Sequence, residues 1–139
     1  MKLHLVTRSD LPAGPQAVQA VHALREFIRE HPEEDRVWYE KSNTIAFLAV
    51  QDEASLQDLL ARARIQGIPA SGFKEPDRDN ELTAVAIGPS GKRLCRRLPL
   101  ALAEDDACAT STPCTSTIAV KTNTEPSTIT GAGFLSPQP

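Results

Sequence analysis

Short segments rich in apolar residues in the first hundred positions predict four β-strands, Leu3–Thr7, Thr44–Val50, Ile68–Glu75 and Leu82–Pro89. The first run is apolar and β-branched and stops at the turn-forming residues Ser9 and Asp10, as expected for a buried strand. A polar loop joins the third and fourth segments. The second run is almost entirely apolar, which predicts that it is the central strand of the sheet.

Between the first two runs, apolar residues recur every three or four positions, which predicts an amphipathic helix. Pro12 and Pro15 favour a start at residues 13–16, and Pro32 favours an end near His31. The apolar face expected to pack on the core comprises Val18, Val21, Leu24 and Ile28, with Ala17, Ala20 and Phe27 beside it.

A second helix is predicted after the second strand, with Asp52 capping its start and Gly67 terminating it. A short basic helix is predicted from about Ser90 to Arg97, while the charged segment 32–43 is assigned no element. The buried stripe of the second helix is expected to comprise Leu56, Leu59, Leu60 and Ala63.

The predicted order of elements, β-α-β-α-β-β with a closing helix, indicates the fold class. Long helical crossovers between strands require parallel pairing in at least part of a sheet. We therefore predict an α/β fold of three layers, α/β/α, for residues 1–101. Residues 102–139 are rich in Ser and Thr without a periodic apolar face, so they are predicted to form a disordered tail.

Charge narrows the expected partners. Residues 1–101 carry equal numbers of basic and acidic side chains, so the acidic excess behind the net charge of −3 lies after residue 101. A neutral domain argues against strong non-specific binding of nucleic acid, but it allows one local basic patch. Such a patch is formed by Lys92, Arg93, Arg96 and Arg97, which could equally be a solvated helix face.

Other motifs exclude several classes of chemistry. The segment Gly88–Arg93 lacks the full spacing of a nucleotide-binding phosphate loop, and the three histidines are not clustered with carboxylates at the spacing of a metal site. The three cysteines are interpreted as free thiols, and we expect no metal. Neither a signal peptide nor a membrane span is indicated, so a cytoplasmic protein without a membrane partner is expected.

Polar residues follow the predicted strand ends, where ligands bind in α/β sheets. Ser9, Asp10 and the Gly14 loop follow the first strand, and Lys74 and Glu75 end the third. Gln19 and His22 lie one helical turn apart. They could contact a substrate or could equally line the core.

The residues in these positions resemble a known family. The features are the Arg8-x-Asp10-Leu11 sequence, the Gln19-x-x-His22-Ala23 sequence and the Ala86–Pro89 segment, in this order and spacing. Over about Leu3 to Leu100 the chain resembles the type-two peptidyl-tRNA hydrolases. The resemblance implies a four-stranded mixed sheet, hydrolysis of the ester between a peptide and the 3′ end of tRNA, tRNA as partner, and no cofactor. A homodimer is a further expectation.

The resemblance also assigns roles, with two departures from the family pattern. Where the family has a turn lysine four residues before the helix glutamine, this chain has Pro15, and the catalytic aspartate is replaced by Glu75. The expectation is therefore a hydrolase that is slow, with a non-catalytic tRNA- or protein-binding module as the alternative. The expected catalytic residues are Glu75, Thr83, Gln19 and His22, and the expected substrate-binding residues are Arg8, Asp10, Gly14, Lys74, Lys92, Arg93, Arg96 and Arg97.

Overall fold

The computed structural model describes residues 1–103, and Met1–Ala103 form one compact unit. The predicted disordered tail lies outside the described residues, apart from its first two. The elements, in chain order, are β1 (Leu3–Arg8), α1 (Ala13–Glu30), α2 (Pro32–Lys41), β2 (Ile45–Val50), α3 (Glu53–Ile65), β3 (Ala70–Glu75), β4 (Glu81–Ile87) and α4 (Lys92–Cys95).

The four strands form one mixed sheet in the order β2-β1-β4-β3. β1 and β2 are parallel, and β4 runs antiparallel to both β1 and β3. Helices cover both faces, which confirms the predicted α/β class. No helix among residues 1–103 is long and apolar enough to cross a membrane.

The prediction that Thr44–Val50 forms the central strand is wrong, because β2 lies at the edge of the sheet. The segment of residues 99–101, which follows α4, covers the outer side of β2. The Ala49 N–H donates to Pro99 O at 3.0 Å, and the Ala101 N–H donates to Phe47 O at 2.9 Å. The apolar run Thr44–Val50 is thus paired with β1 on one side and with an irregular segment, rather than another full strand, on the other.

Two hydrophobic cores lie on opposite faces of the sheet. The α3 side contains Val6, Val85 and Ile87, which pack with the predicted stripe Leu56, Leu59, Leu60 and Ala63. That stripe is buried as predicted, Asp52 caps α3 by accepting from the Ser55 N–H, and Gly67 follows its end at φ +72°. The α1 side contains Leu3, Leu5, Ala20, Ala23, Phe27, Trp38, Ala84 and Ala86.

The face of α1 that packs on the sheet differs from the prediction. Val18 and Val21 are 54% and 58% exposed, whereas the buried residues are Gln16, Gln19, Ala20, Ala23 and Phe27. Two alanines give the helix a small contact surface, which lets it lie close to the sheet. Both glutamines donate a hydrogen bond from Nε2, Gln16 to Leu11 O and Gln19 to Glu75, although Gln16 Oε1 accepts none from the described residues. Apolar periodicity alone does not reveal such buried polar positions.

A helix that was not predicted, α2, forms from the charged segment. Pro32 occupies its first position, acidic residues fill its first turn and Lys41 lies in its last turn, all of which are favourable helix signals. The segment was missed because Trp38 is its only buried residue, so no apolar stripe exists. The Trp38 indole donates to Thr44 O at 2.9 Å, which ties α2 to the start of β2.

Candidate active site

Several elements begin or end along one border of the sheet, the edge that runs across the strand ends rather than along the outer strand β2. β1, β2 and β3 end at this edge, whereas β4 begins there, because it runs antiparallel to β1 and β3. Glu75 and Glu81 are paired at the β3–β4 end of this edge. The chain leaves β1 here and enters α1 within a few residues, so the first turns of α1 lie next to the strand ends.

Gln19, Glu75 and Thr83 form a hydrogen-bonded chain at this edge. The Thr83 hydroxyl donates to Gln19 Oε1 at 2.9 Å, and Gln19 Nε2 donates to Glu75 Oε2 at 2.7 Å. Thr83 is fully buried and Gln19 is 8% exposed. The threonine therefore fixes which way the amide points, and the amide fixes one oxygen of the carboxylate.

An irregularity in β4 aims Thr83 at Gln19. Phe73 pairs with Ala84, but Lys74 pairs with Leu82, so the register shifts and no residue of β3 is paired with Thr83 in the ladder. A bulge of this kind turns a side chain toward the opposite face of a sheet. Leu82 accordingly packs in the α3-side core, while Thr83 reaches α1 on the other side.

The second oxygen of Glu75 is held only weakly. Its Oε1 accepts from the Asp77 N–H at 3.4 Å, at the start of a short 3₁₀ turn, Pro76–Arg78. Among the described residues, no lysine or arginine forms an ion pair with Glu75. This oxygen can therefore accept a hydrogen bond from a water molecule, which is the geometry required of a general base.

His22 lies next to this site without joining its hydrogen bonds. Its exposed ring stacks on Phe73, with ring centroids 4.5 Å apart and an interplanar angle of 14°. His22 is one turn beyond Gln19 on α1, and Phe73 lies two residues before Glu75 on β3. The pair places a flat aromatic surface beside the carboxylate.

Arg8 and Asp10 form a separate network at the same edge. The Arg8 guanidinium donates to both oxygens of Asp10 at 2.9 and 2.8 Å, and to Glu81 Oε2 at 2.9 Å. Hydrogen bonding to Arg8 lowers the pKa of both carboxyl groups and, in return, raises the pKa of Arg8. Arg8 is 7% exposed, so its charge is already neutralised inside the protein.

Comparison with known proteins shows the family of the chain. A family model described as peptidyl-tRNA hydrolase PTH2 matches residues 1–104. The chain belongs to this family. A relative from Methanocaldococcus jannaschii named peptidyl-tRNA hydrolase is 31% identical over 99 residues, which cover 64% of this chain and 86% of the relative.

The PTH2 family resemblance placed a lysine where this chain has Pro15, and the structure shows what that position could contact. Pro15 is exposed in the first turn of α1, four residues before Gln19, so both side chains lie on one side of the helix. Gly14 beside it is also exposed, and a Cβ atom added there would meet no non-neighbouring atom of residues 1–103 within 4 Å. The turn therefore has room for a larger side chain or for substrate.

Two of the expected substrate-binding cations, Arg8 and Lys74, are not placed to take over the role of this lysine beside Glu75. Arg8 is bound by Asp10 and Glu81, as described above. Lys74 lies beside Leu60 and Arg64 of α3, on the face of the sheet opposite Gln19. Side chains alternate along β3, so Lys74 and Glu75 point to opposite faces of the sheet although they are adjacent in sequence.

The basic cluster Lys92, Arg93, Arg96 and Arg97 is at the other edge of the sheet. It follows the end of β4, whereas Glu75 lies beside the start of β4. The helix that carries it is shorter than predicted, with a 3₁₀ turn at Pro89–Gly91 followed by α4. These four residues therefore do not join the site around Glu75.

Sequence reasoning missed three residues of this candidate site. Gln16 donates from Nε2 to Leu11 O at 2.6 Å and so holds the loop before α1. Phe73 supports His22, and Glu81 binds Arg8. Spacing could have suggested Gln16, three residues before Gln19, but the other two contacts depend on strand register. Among residues 1–103, no three His, Cys, Asp or Glu side chains converge as a metal site.

Proposed function

We propose that this chain hydrolyses the ester bond that joins a peptide to the 3′ end of tRNA, with Glu75 as general base. The observation that carries the proposal is the chain of hydrogen bonds from Thr83 through Gln19 to Glu75. A buried threonine and amide that fix one carboxylate oxygen leave the other available for water. Membership of the PTH2 family supports ester hydrolysis over a non-catalytic binding module.

The proposed reaction has two steps. Glu75 accepts a proton from water while the water oxygen attacks the acyl carbon of the ester, which gives a tetrahedral intermediate with a negatively charged oxygen. The bond to the ribose oxygen then breaks, and the proton held by Glu75 is transferred to that oxygen. The products are a peptide carboxylic acid, which loses its remaining proton to solvent at neutral pH, and tRNA with a free 3′-terminal ribose hydroxyl. Gln19 and Thr83 act as positioning residues, because they hold Glu75 rather than water.

The rate of hydrolysis is expected to be low, because this site stabilises the negatively charged oxygen of the intermediate only weakly. A lysine at position 15 would supply a cation close to Glu75, and this chain lacks it. The donors that remain at this turn are the backbone N–H groups of Ala13 and Gly14, which have no acceptor within the helix. Removal of one donor to such an oxyanion typically lowers the rate by about a hundredfold to a thousandfold. A slow hydrolase is therefore the specific proposal.

The test is single-turnover cleavage of peptidyl-tRNA by the full chain and by Glu75→Gln. The substitution keeps the size of the side chain and removes the base, so the rate should fall by about a hundredfold to ten-thousandfold. Glu34→Gln is the matched control, because Glu34 is an exposed carboxylate on α2 with no part in this site. Equal rates for the parent and Glu75→Gln would refute the proposed role of Glu75.

Two further proposals concern the oligomeric state and the cellular location of the protein. A homodimer and a cytoplasmic location both remain predictions from the sequence and from the family resemblance. Light scattering of the purified chain tests the first, since a dimer has twice the mass of the chain. Fractionation of cells that express the tagged protein tests the second.

A further inference from the structure

A cavity of about 350 Å³ lies at the edge of the sheet opposite Glu75. The start of the chain, β1, β2 and α4 all contribute to its walls. Its polar lining includes the basic residues Lys2, Lys92 and Arg96 together with His4, and no aspartate or glutamate of residues 1–103 lines it. Three basic side chains from two separate segments of the chain therefore share one concave surface.

The charge of this cavity is not neutralised within the described part of the chain. Lys2, Lys92 and Arg96 form none of the ion pairs found among residues 1–103. Cys95 also lines the cavity, and burial raises the pKa of its thiol to about 11, so it adds no negative charge at neutral pH. The cavity is thus electropositive in a domain whose basic and acidic residues otherwise balance.

His4 gives the cavity a buried ring nitrogen, Nδ1, without a hydrogen-bond partner. The residue is 5% exposed, and this atom forms no hydrogen bond with the described residues. Burial lowers the pKa of His4, polar contact of the ring with the backbone at Ile87 and Gly88 raises it by less, and the charges of Lys2 and Lys92 lower it. A bound anion would accept a hydrogen bond from the ring and would offset the charge of the lysines.

The register of the sheet gives the distance between this cavity and the proposed catalytic site. His4 pairs with Ile87, and Glu75 pairs with Glu81, so six residues of β4 separate the two. At about 3.3 Å for each residue of a strand, they lie roughly 20 Å apart. A substrate that occupies both sites must extend well beyond the ester.

We propose that the cavity lined by His4, Lys2, Lys92 and Arg96 binds a phosphate group of the tRNA backbone, several nucleotides from the ester. The proposal rests on the proposed function for the identity of the ligand. It divides the basic cluster into Lys92 and Arg96, which line the cavity, and Arg93 and Arg97, which do not. The site anchors tRNA and takes no part in the hydrolysis.

The first experiment measures the binding of deacylated tRNA as a function of salt, which requires no turnover. The cavity is proposed to hold one phosphate group, so its loss in Lys92→Gln/Arg96→Gln should lower the slope of log affinity against log salt by roughly 0.7 to 0.9. The matched control is Lys41→Gln/Arg64→Gln, which removes one lysine and one arginine from exposed helix positions elsewhere. Its slope should equal that of the parent.

Two results of this experiment would overturn the proposal. The slope of Lys92→Gln/Arg96→Gln could equal that of the parent, in which case the cavity contacts no phosphate. Alternatively, Arg93→Gln/Arg97→Gln could lower the slope equally, in which case the basic cluster acts as a diffuse surface rather than a site.

Hydrolysis assays separate this proposal from the proposed function. On full-length peptidyl-tRNA, Lys92→Gln/Arg96→Gln should raise KM and leave kcat unchanged. On a peptidyl ester of the terminal adenosine alone, which is too short to span roughly 20 Å, the variant should match the parent. If the parent cleaves neither substrate, the proposed function fails while the binding result still decides the present proposal. A loss of activity on the short ester would contradict an anchoring role.

The last experiment uses inorganic phosphate as the probe and the imidazole resonances of His4 as the readout, assigned with His4→Gln. Phosphate should raise the pKa of His4 in the parent but not in Lys92→Gln/Arg96→Gln, and tRNA should displace it. If phosphate raises the pKa and tRNA does not compete, the site serves a free anion and the tRNA assignment is wrong. If phosphate leaves His4 unchanged, the cavity is not an anion site.

Discussion

At the scale of single residues, the two hydrogen bonds of Gln19 determine what Glu75 can do. One bond, from Thr83, orients the amide, and the other, to Glu75 Oε2, immobilises the carboxylate. The glutamine therefore converts a flexible glutamate into a fixed acceptor for water. The cation that would complete this arrangement is absent at position 15.

Pro15→Lys should raise the rate of ester hydrolysis, because the new ammonium would lie one turn before Gln19 and near the developing oxyanion. Helix α1 should tolerate the change, because loss of the proline costs only about 0.4 to 1 kcal/mol. Single-turnover cleavage of peptidyl-tRNA measures the gain. Adding Glu75→Ala should remove most of it, and a folded Pro15→Lys variant that is no faster would show that the site differs by more than this lysine.

Arg8→Gln should destabilise the fold by about 1 to 2 kcal/mol, after allowance for the solvent exposure of Asp10. Since Arg8 lowers the pKa of Asp10, this stabilisation is present above about pH 4, the ordinary pKa of aspartate, and is lost as the pH falls through the lowered value. Urea unfolding at several pH values measures it. The difference between parent and variant should shrink in acid, and a difference that grows there would contradict the assignment.

At the scale of elements, α1 shows where sequence patterns succeed and where they fail. Its start and end were predictable because prolines mark both. Its buried face was not predictable, because Gln16 and Gln19 are buried through hydrogen bonds to residues distant in sequence or outside the helix. The same limit applies to Thr83, whose direction depends on a shift of register between two strands.

The buried face of α1 can be tested with two substitutions two residues apart. Val21→Gln should change the free energy of unfolding by less than about 0.5 kcal/mol, because Val21 is 58% exposed. Ala23→Leu should destabilise by about 1 to 3 kcal/mol, because Ala23 is fully buried and a larger side chain overpacks the core. Denaturant unfolding compares the two variants. A larger loss of unfolding free energy for Val21→Gln than for Ala23→Leu would show that the face predicted from apolar periodicity is the buried one.

At the scale of the whole molecule, the domain boundary follows from the segment that covers β2. The sequence predicts an end near Ala101, and the backbone bonds of Pro99 and Ala101 to β2 mean that this segment belongs with the sheet. Truncation after Ala103 should leave the Tm unchanged. Truncation after Arg97 removes both backbone bonds and the packing of Leu98 on the α3-side core, so the Tm should fall by about 5 °C or more.

Thermal unfolding of the two truncated chains and the full chain checks this boundary. A lower Tm after the first truncation would show that residues beyond Ala103 stabilise the domain. An unchanged Tm after the second would show that the covering segment contributes little to stability.

In the proposed reaction, water oriented by Glu75 attacks the acyl carbon of the ester. Cleavage of peptidyl-tRNA in oxygen-18-labelled water, followed by mass spectrometry of both products, tests this step. Attack at the acyl carbon places one labelled oxygen in the peptide carboxylate and leaves an unlabelled 3′-terminal ribose hydroxyl on intact tRNA, and Glu75→Gln should lose peptide release. Label in the tRNA, a shortened tRNA, or equal release by Glu75→Gln would refute the proposed reaction.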